Sequence, residues 1–193
     1  MSNLPTLQDL TNDTEIAKKQ DALNFLLNQQ VPQQWIKKHP FVSIKINGQN
    51  QPLEYISVEK VKQLLTQIFQ VWESEIVDYK ALFNAVSVQV RLRVKNPLTG
   101  EWITHDGVGA VDVQTAKGAS AADLSQINAS AVMKALPAAA SYALKNAAEK
   151  LGAIFGGHLQ KYDISPFTPA YNTELKETIS NTLKQKYGTS TEG

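Results

Sequence analysis

From Ser87 to Lys95 (SVQVRLRVK) polar and apolar positions alternate strictly. Val88, Val90, Leu92 and Val94 share one parity, and Ser87, Gln89, Arg91, Arg93 and Lys95 share the other. A strand sends alternate side chains to opposite faces, so the first set predicts a core face and the second a polar face ending in three cations. Alternation also marks strands at residues 41–46 (FVSIKI) and 53–56 (LEYI), with the turn signal Asn47-Gly48 between them. Two more strand-like runs cover 73–79 and 101–113, the latter joined to 84–95 by the turn NPLTG.

Helical spacing appears in five places, four of them before residue 158. Residues 13–29 carry Ile16, Leu23, Phe25, Leu26 and Leu27 at moderate regularity. Pro32 opens a short helical turn through Trp35 to Lys38, which His39-Pro40 ends. Ser57 is a suitable N-cap for a helix in which Val58, Val61, Leu64, Leu65, Ile68 and Trp72 repeat at helical spacing. The longest helix runs over 129–155 and is rich in alanine; Pro137 lies inside it and Gly156-Gly157 ends it. Its apolar face is expected to comprise Val132, Leu136, Ala139, Ala143, Ala147 and Leu151.

Residues 1–12 are polar and read as loose, 114–128 as a loop with one helical turn, and 158–171 as a linker. A final helix over 173–187 has only the narrow stripe Leu175, Ile179 and Leu183. The order predicts an α+β fold: an antiparallel β-meander with the long helix packed across it, plus N- and C-terminal helices. The expected division is 1–31, an N-terminal helical segment; 32–157, the α+β core; and 158–193, a linker with the C-terminal helix.

Composition narrows the function. The 193 residues are 42% hydrophobic and 19% charged, ordinary for a globular domain. With a net charge of +1, anion binding has to come from local patches. The absence of cysteine removes disulfides, thiol nucleophiles and cysteine–zinc sites, and fits a cytoplasmic setting. No signal peptide or membrane span is apparent.

Catalytic patterns are lacking. His39, His105 and His158 are far apart and none has metal-ligand spacing with another. His105-Asp106 are neighbours on a strand, so their side chains point to opposite faces. Gly107-Val108-Gly109 is only a fragment of a phosphate-loop pattern; glycine in a strand more often marks a close backbone approach. No catalytic residue, metal or cofactor is expected. Cations are the more informative feature. Lys134 and Lys145 are eleven residues apart, about three turns, and share a helix face with Ser141. Lys37 and Lys38 form a cluster beside Trp35, and Lys117 lies in the loop. Together with Arg91, Arg93 and Lys95 they suggest phosphate contacts spread along a groove. A solvated sheet face and a wet helix surface are the plainer alternatives for the same residues. Tyr55, Trp102 and Tyr142 are candidates for base stacking, weighed against packing in a core or interface.

Three blocks in order, PLEYISVEKVKQLLTQIF, VQVRLRVKNPLTGEWITHDGVGAVDVQ and ALPAAASYALKNAAEKLGAIFG, resemble the phage single-strand annealing proteins. The chain looks most similar to the Sak-three type within the wider Rad-fifty-two and Erf group, over about residues 33–160. The resemblance implies ATP-independent annealing of complementary DNA strands by a ring or filament, with a β-β-β-α core lining a basic groove. Single-stranded DNA, the annealed duplex and further copies of the chain are then the expected partners, in the cytoplasm of a bacterial host. A host single-strand-binding protein or phage exonuclease is a candidate additional partner. The resemblance places Lys145 at a groove cation and Lys95 at the cationic end of the hairpin strand, with Lys37 and Lys38 aligned more loosely. Asn146 departs from the pattern, because eukaryotic relatives have two adjacent cations there.

Two other readings compete. The order α-β-β-β-α with LKNAAEKLG also resembles a double-stranded-RNA-binding domain, although its last helix would be unusually long and poor in lysine at its start. A structural oligomer that uses the alanine-rich helix for packing alone would leave the cations solvated.

Overall fold

A computed structural model describes residues 14–46, 48–82, 84–113 and 129–159, with isolated positions 125, 181 and 185. In chain order the elements are α1 (Thr14–Leu27), a 3-10 turn (Gln33–Trp35), β1 (Lys37–Ile46), β2 (Gln49–Tyr55), α2 (Val58–Phe69), β3 (Trp72–Leu82), β4 (Ala85–Lys95), β5 (Trp102–Asp112) and α3 (Ala129–Ala148), followed by 3-10 turns at Glu149–Leu151 and Ala153–Phe155. The fold is α+β with antiparallel sheets, as the hydrophobic pattern predicts. The chain divides into two compact units: Val58–Leu151, and a second that combines the residues before Val58 with those from Gly152 onward. No helix among the described residues is long and apolar enough to cross a membrane.

In the second unit, α1 buries Ala17 and Phe25, and Val31, Trp35, Ile56, Ile154 and Phe155 are also buried. β1 and β2 form an antiparallel hairpin whose register breaks between Lys38 and Ser43. Residues 37–40, expected to end a helical turn, instead begin β1. Pro40 has no N–H to give to a ladder, and it falls within that break in register.

The unit Val58–Leu151 carries the meander. α2 buries Val61, Leu64 and Leu65, as its spacing predicts, and also Phe69, while Val58 and Ile68 of the expected stripe are half-buried. It stops at Phe69 because Gln70 turns left-handed, with φ 61°. Trp72 therefore opens β3 and is not the last helical position, yet its indole Nε1 still donates to Thr66 Oγ1 at 3.0 Å. β4 is central, flanked by β3 and β5. Val88, Val90, Leu92 and Val94 are 4% exposed or less, and the alternate residues form the opposite face. Asn96 shapes the β4–β5 turn by accepting at Oδ1 from Leu98 N–H (2.8 Å).

α3 packs on the inner face of β4 and β5. Val88 pairs with Gly109 and Val90 with Gly107, so both glycines lie on the face that α3 covers. A Cβ on Gly107 would collide with the Ala143 carbonyl and Ala147 N–H, and one on Gly109 with the Ala139 carbonyl. The two glycines thus mark a close backbone approach, the ordinary meaning of glycine in a strand. Ala135, Ala139, Ala143, Leu144, Ala147 and Ala148 are the buried helix positions. Leu136, expected on that face, is 38% exposed, and the side chain of Val132 lies outside the described residues. The α-helix ends at Ala148, short of Phe155, and tightens into 3-10 turns on either side of Gly152. Apart from positions 125, 181 and 185, the regions read as loose N-terminus, loop 114–128 and C-terminal helix, with Leu175, Ile179 and Leu183, lie outside the described residues.

Because the atoms meeting these glycines are helix backbone, they cannot move aside singly. Gly107→Ala or Gly109→Ala is therefore expected to destabilise the protein by about 1–3 kcal/mol, the usual cost of overpacking a core. Urea unfolding measures this as a lowered midpoint, whereas Gly48→Ala, where nothing lies within 4 Å, relieves no packing and reports only its left-handed backbone.

Candidate nucleic-acid interface

Arg91, Arg93 and Lys95 project from the outer face of the sheet, as their spacing predicts, but their surroundings are not purely cationic. Register places Glu75 and Asp106 on either side of Arg91, and Glu73 and Thr104 on either side of Arg93. Arg91 grips Asp106 with two hydrogen bonds, Nε to Oδ1 at 2.9 Å and Nη2 to Oδ2 at 3.1 Å. Gln89 donates to the same carboxylate at 3.0 Å, and Glu75 lies 3.7 Å from Arg91 Nη1. These bonds hold the Asp106 carboxyl below its ordinary range, the Arg91 hydrogen bond contributing most, and raise Arg91 in turn. Arg93 Nη1 bonds Glu73 at 2.6 Å, and its guanidinium sits 4.9 Å from the centre of the Trp102 ring. The acid-free strand is thus flanked by acid-bearing neighbours, and the outer face has mixed charge.

The pairs differ in how readily a phosphate could replace the carboxylate. Both partners of the Arg93–Glu73 pair are open to solvent, at 41% and 56% side-chain exposure, and exposed pairs are worth only about 0–1 kcal/mol. Arg91 is held by a forked pair and a shared carboxylate, a stiffer arrangement. No carboxylate lies within ion-pair distance of Lys95 among the described residues.

The second concentration of charge involves α2 and α3. Lys134 is exposed, whereas Lys145, on the same helix face, is only 9% exposed. Burial lowers the pKa of Lys145 and is the main influence on it; Glu149 and Glu59 pull the other way. Its ammonium lies 5.2 Å from the centre of the Tyr142 ring. Beside this segment is an open groove of about 320 Å³, with Ile76, Pro137, Ser141 and Leu144 among its lining residues and Lys62 and Glu75 as its charged ones. Lys62 is a cation that the sequence reading passed over. It follows Val61 in α2, on the solvent side of the buried stripe, where a charged residue carries no distinguishing local signal. Lys150 was also missed: its Nζ donates to the Asp106 carbonyl at 2.6 Å and pins the chain after α3 to β5.

Lys37 and Lys38 stand at the start of β1, not on a helical turn, and Lys38 is 3.9 Å from Glu54. They belong to the other compact unit. Lys117 lies outside the described residues. Among the aromatic candidates Tyr55 is half-buried, but Trp102 and Tyr142 are 43% and 40% exposed, so core packing does not account for them. Each has a cation at its ring. His105 and Asp106 do point to opposite faces: His105 pairs with inward Leu92 and Asp106 with outward Arg91.

This arrangement of a three-stranded meander crossed by an alanine-rich helix, with cations on both, accords with the comparison to known families. Residues 22–178 match the family model described as Rad52/22 family double-strand break repair protein, and the chain belongs to that family. No curated protein matches the chain. Family membership places the protein in DNA repair and recombination by single-strand annealing and implies DNA binding and self-assembly at that level.

Lys145 also makes a stability prediction. Its folded pKa lies below its unfolded value near 10.4, so the unfolded chain binds the proton more tightly. Burial of the charged form therefore costs stability at neutral pH, and that cost fades as pH rises toward the unfolded value. Urea unfolding from about pH 7 to 10 is expected to show a positive contribution to stability that Lys145→Met lacks.

Proposed function

We propose that this chain is a phage single-strand annealing protein of the Sak-three type, acting without ATP as a ring or filament in the cytoplasm of a bacterial host. Its contribution is non-catalytic. Cations from β4, α2 and α3 neutralise the phosphates of an extended strand, and base pairing with the incoming strand supplies all the sequence information. Along β4, alternate residues recur about every 6.8 Å, so successive cations can follow a sugar–phosphate backbone. Repetition of the same few cations from copy to copy makes a continuous track, and a net charge of +1 is then no obstacle.

Lys145 is the observation that carries this reading. A lysine at 9% exposure is destabilised by its burial, and an apolar residue would serve packing better. Its helix neighbours Ser141 and Leu144 line the groove that holds Lys62, and a polyanion bound along this segment would return the lost solvation. Arg91, Arg93, Lys95 and Lys134 extend the proposed contact surface, and Lys37, Lys38 and Lys117 are proposed as further phosphate contacts. A host single-strand-binding protein or a phage exonuclease is the proposed partner in the cell.

Annealing of two complementary labelled oligonucleotides without ATP tests the proposal. The wild type should accelerate duplex formation, and Lys145→Met and Lys62→Ala should each weaken strand binding roughly tenfold, the scale of one charged contact. Loss of annealing in a folded wild type, or binding of duplex RNA in preference to single strands, would contradict it.

A further inference from the structure

The two edges of the three-stranded sheet are not equivalent. On β5 the helix side chains occupy the outward carbonyls: Asn146 Nδ2 donates to Val108 O at 2.7 Å and Lys150 Nζ to Asp106 O at 2.6 Å. That edge is blunted at its middle. On β3, among the described residues, no strand pairs with the outer edge. α3 packs chiefly on β4 and β5 and meets β3 only across the groove that Ile76 shares with Pro137 and Leu144. Ile76, Val77 and Tyr79 are left 54%, 42% and 68% exposed, around a bulge between Ile76 and Asp78. An open edge with this much apolar surface is a template for another strand.

The β1–β2 hairpin has the complementary deficiency. Among the described residues it is a two-stranded sheet, and such a sheet is marginal in water without a third strand or a covering layer. β1 is ten residues long and β3 eleven, so their lengths match. β1 carries Lys37, Lys38 and Lys45 and no acid, with Val42 43% exposed. β3 carries Glu73, Glu75 and Asp78 against one cation, Lys80. Opposite charges facing across strands stabilise a pairing and fix its register.

We infer that the open edge of β3 accepts strand β1 of a second copy of this chain, lysines against carboxylates. The contact joins two different surfaces, so it propagates from copy to copy and generates a ring if its rotation closes or a filament if it does not. It rests on the self-assembly within the proposed function and names the surfaces that perform it. Pairing would also draw Glu73 and Glu75 toward the lysines of the neighbour and so loosen their hold on Arg93 and Arg91. Assembly and exposure of the β4 cations are thereby coupled.

The chain has no cysteine, so disulfide trapping needs no background removed. Ser43→Cys would be combined in turn with Val77→Cys and with Tyr79→Cys in the full chain, which covers a two-residue shift in register. Mild oxidation followed by a denaturing gel is expected to give a ladder of dimers, trimers and larger species from at least one pair. Ser43→Cys with Val108→Cys, on the blunted edge, should give none. A monomer with an internal crosslink, no crosslink at all, or an equal ladder from the Val108 pair would overturn the inference. Annealing assayed on the reduced proteins separates the two ideas: annealing without a ladder removes this interface alone, and a ladder without annealing removes the proposed function alone.

Discussion

The close seating of α3 on β5 is the constraint on which the rest depends. Two strand glycines and a row of helix alanines let backbone meet backbone, and no side chain intervenes to hold them apart. That contact puts Asn146 and Lys150 within reach of the β5 carbonyls, which fixes the end of the helix along the strand. The helix is spent mainly on β4 and β5, so the inner residues of β3 stay largely exposed beside a groove bordered by α2 and α3. One packing decision thus closes one edge of the sheet, leaves the other open, and sets where Lys145 and Lys62 stand.

Electrostatics then divides the cations into distinct kinds. Arg91 is clamped by Asp106, Arg93 is held by an exposed and exchangeable pair, and Lys145 is buried at a cost. A strand viewed alone presents a uniform cationic stripe, but an antiparallel sheet sets its neighbours' carboxylates directly opposite. The phosphate track proposed here therefore depends less on the sum of charge than on which cations can trade a carboxylate, or a buried setting, for a phosphate.

Much of the fold was legible in the sequence because its signals were local. Alternation in SVQVRLRVK identified the buried face of β4, and the stripe that begins Val58, Val61, Leu64 and Leu65 identified α2. The errors came where a tertiary partner or a single backbone angle decides. Left-handed Gln70 ends α2 before Trp72, and Pro40 lies inside a strand whose ladder breaks there. Leu136 faces outward because the helix face that meets the sheet is set by alanine, whose small size gives little weight in a hydrophobic pattern. The cations of β4 were correctly grouped on one face, but their carboxylate partners are remote in sequence: Asp106 is fifteen residues from Arg91 and Glu73 twenty from Arg93. Lys62 escaped notice because a charged residue on the solvent side of a helix has no distinguishing local signal.

The claim at the centre of this account is that phosphates, not bases, are what the protein holds. Its most direct test is the affinity for a labelled single-stranded oligonucleotide of mixed sequence, measured from low to moderate salt. Each neutralised phosphate contributes about −0.7 to the slope of log affinity against log salt, so three or more contacts per copy predict a slope steeper than about −2 with little dependence on sequence. A slope near zero, or binding confined to one sequence, would contradict it.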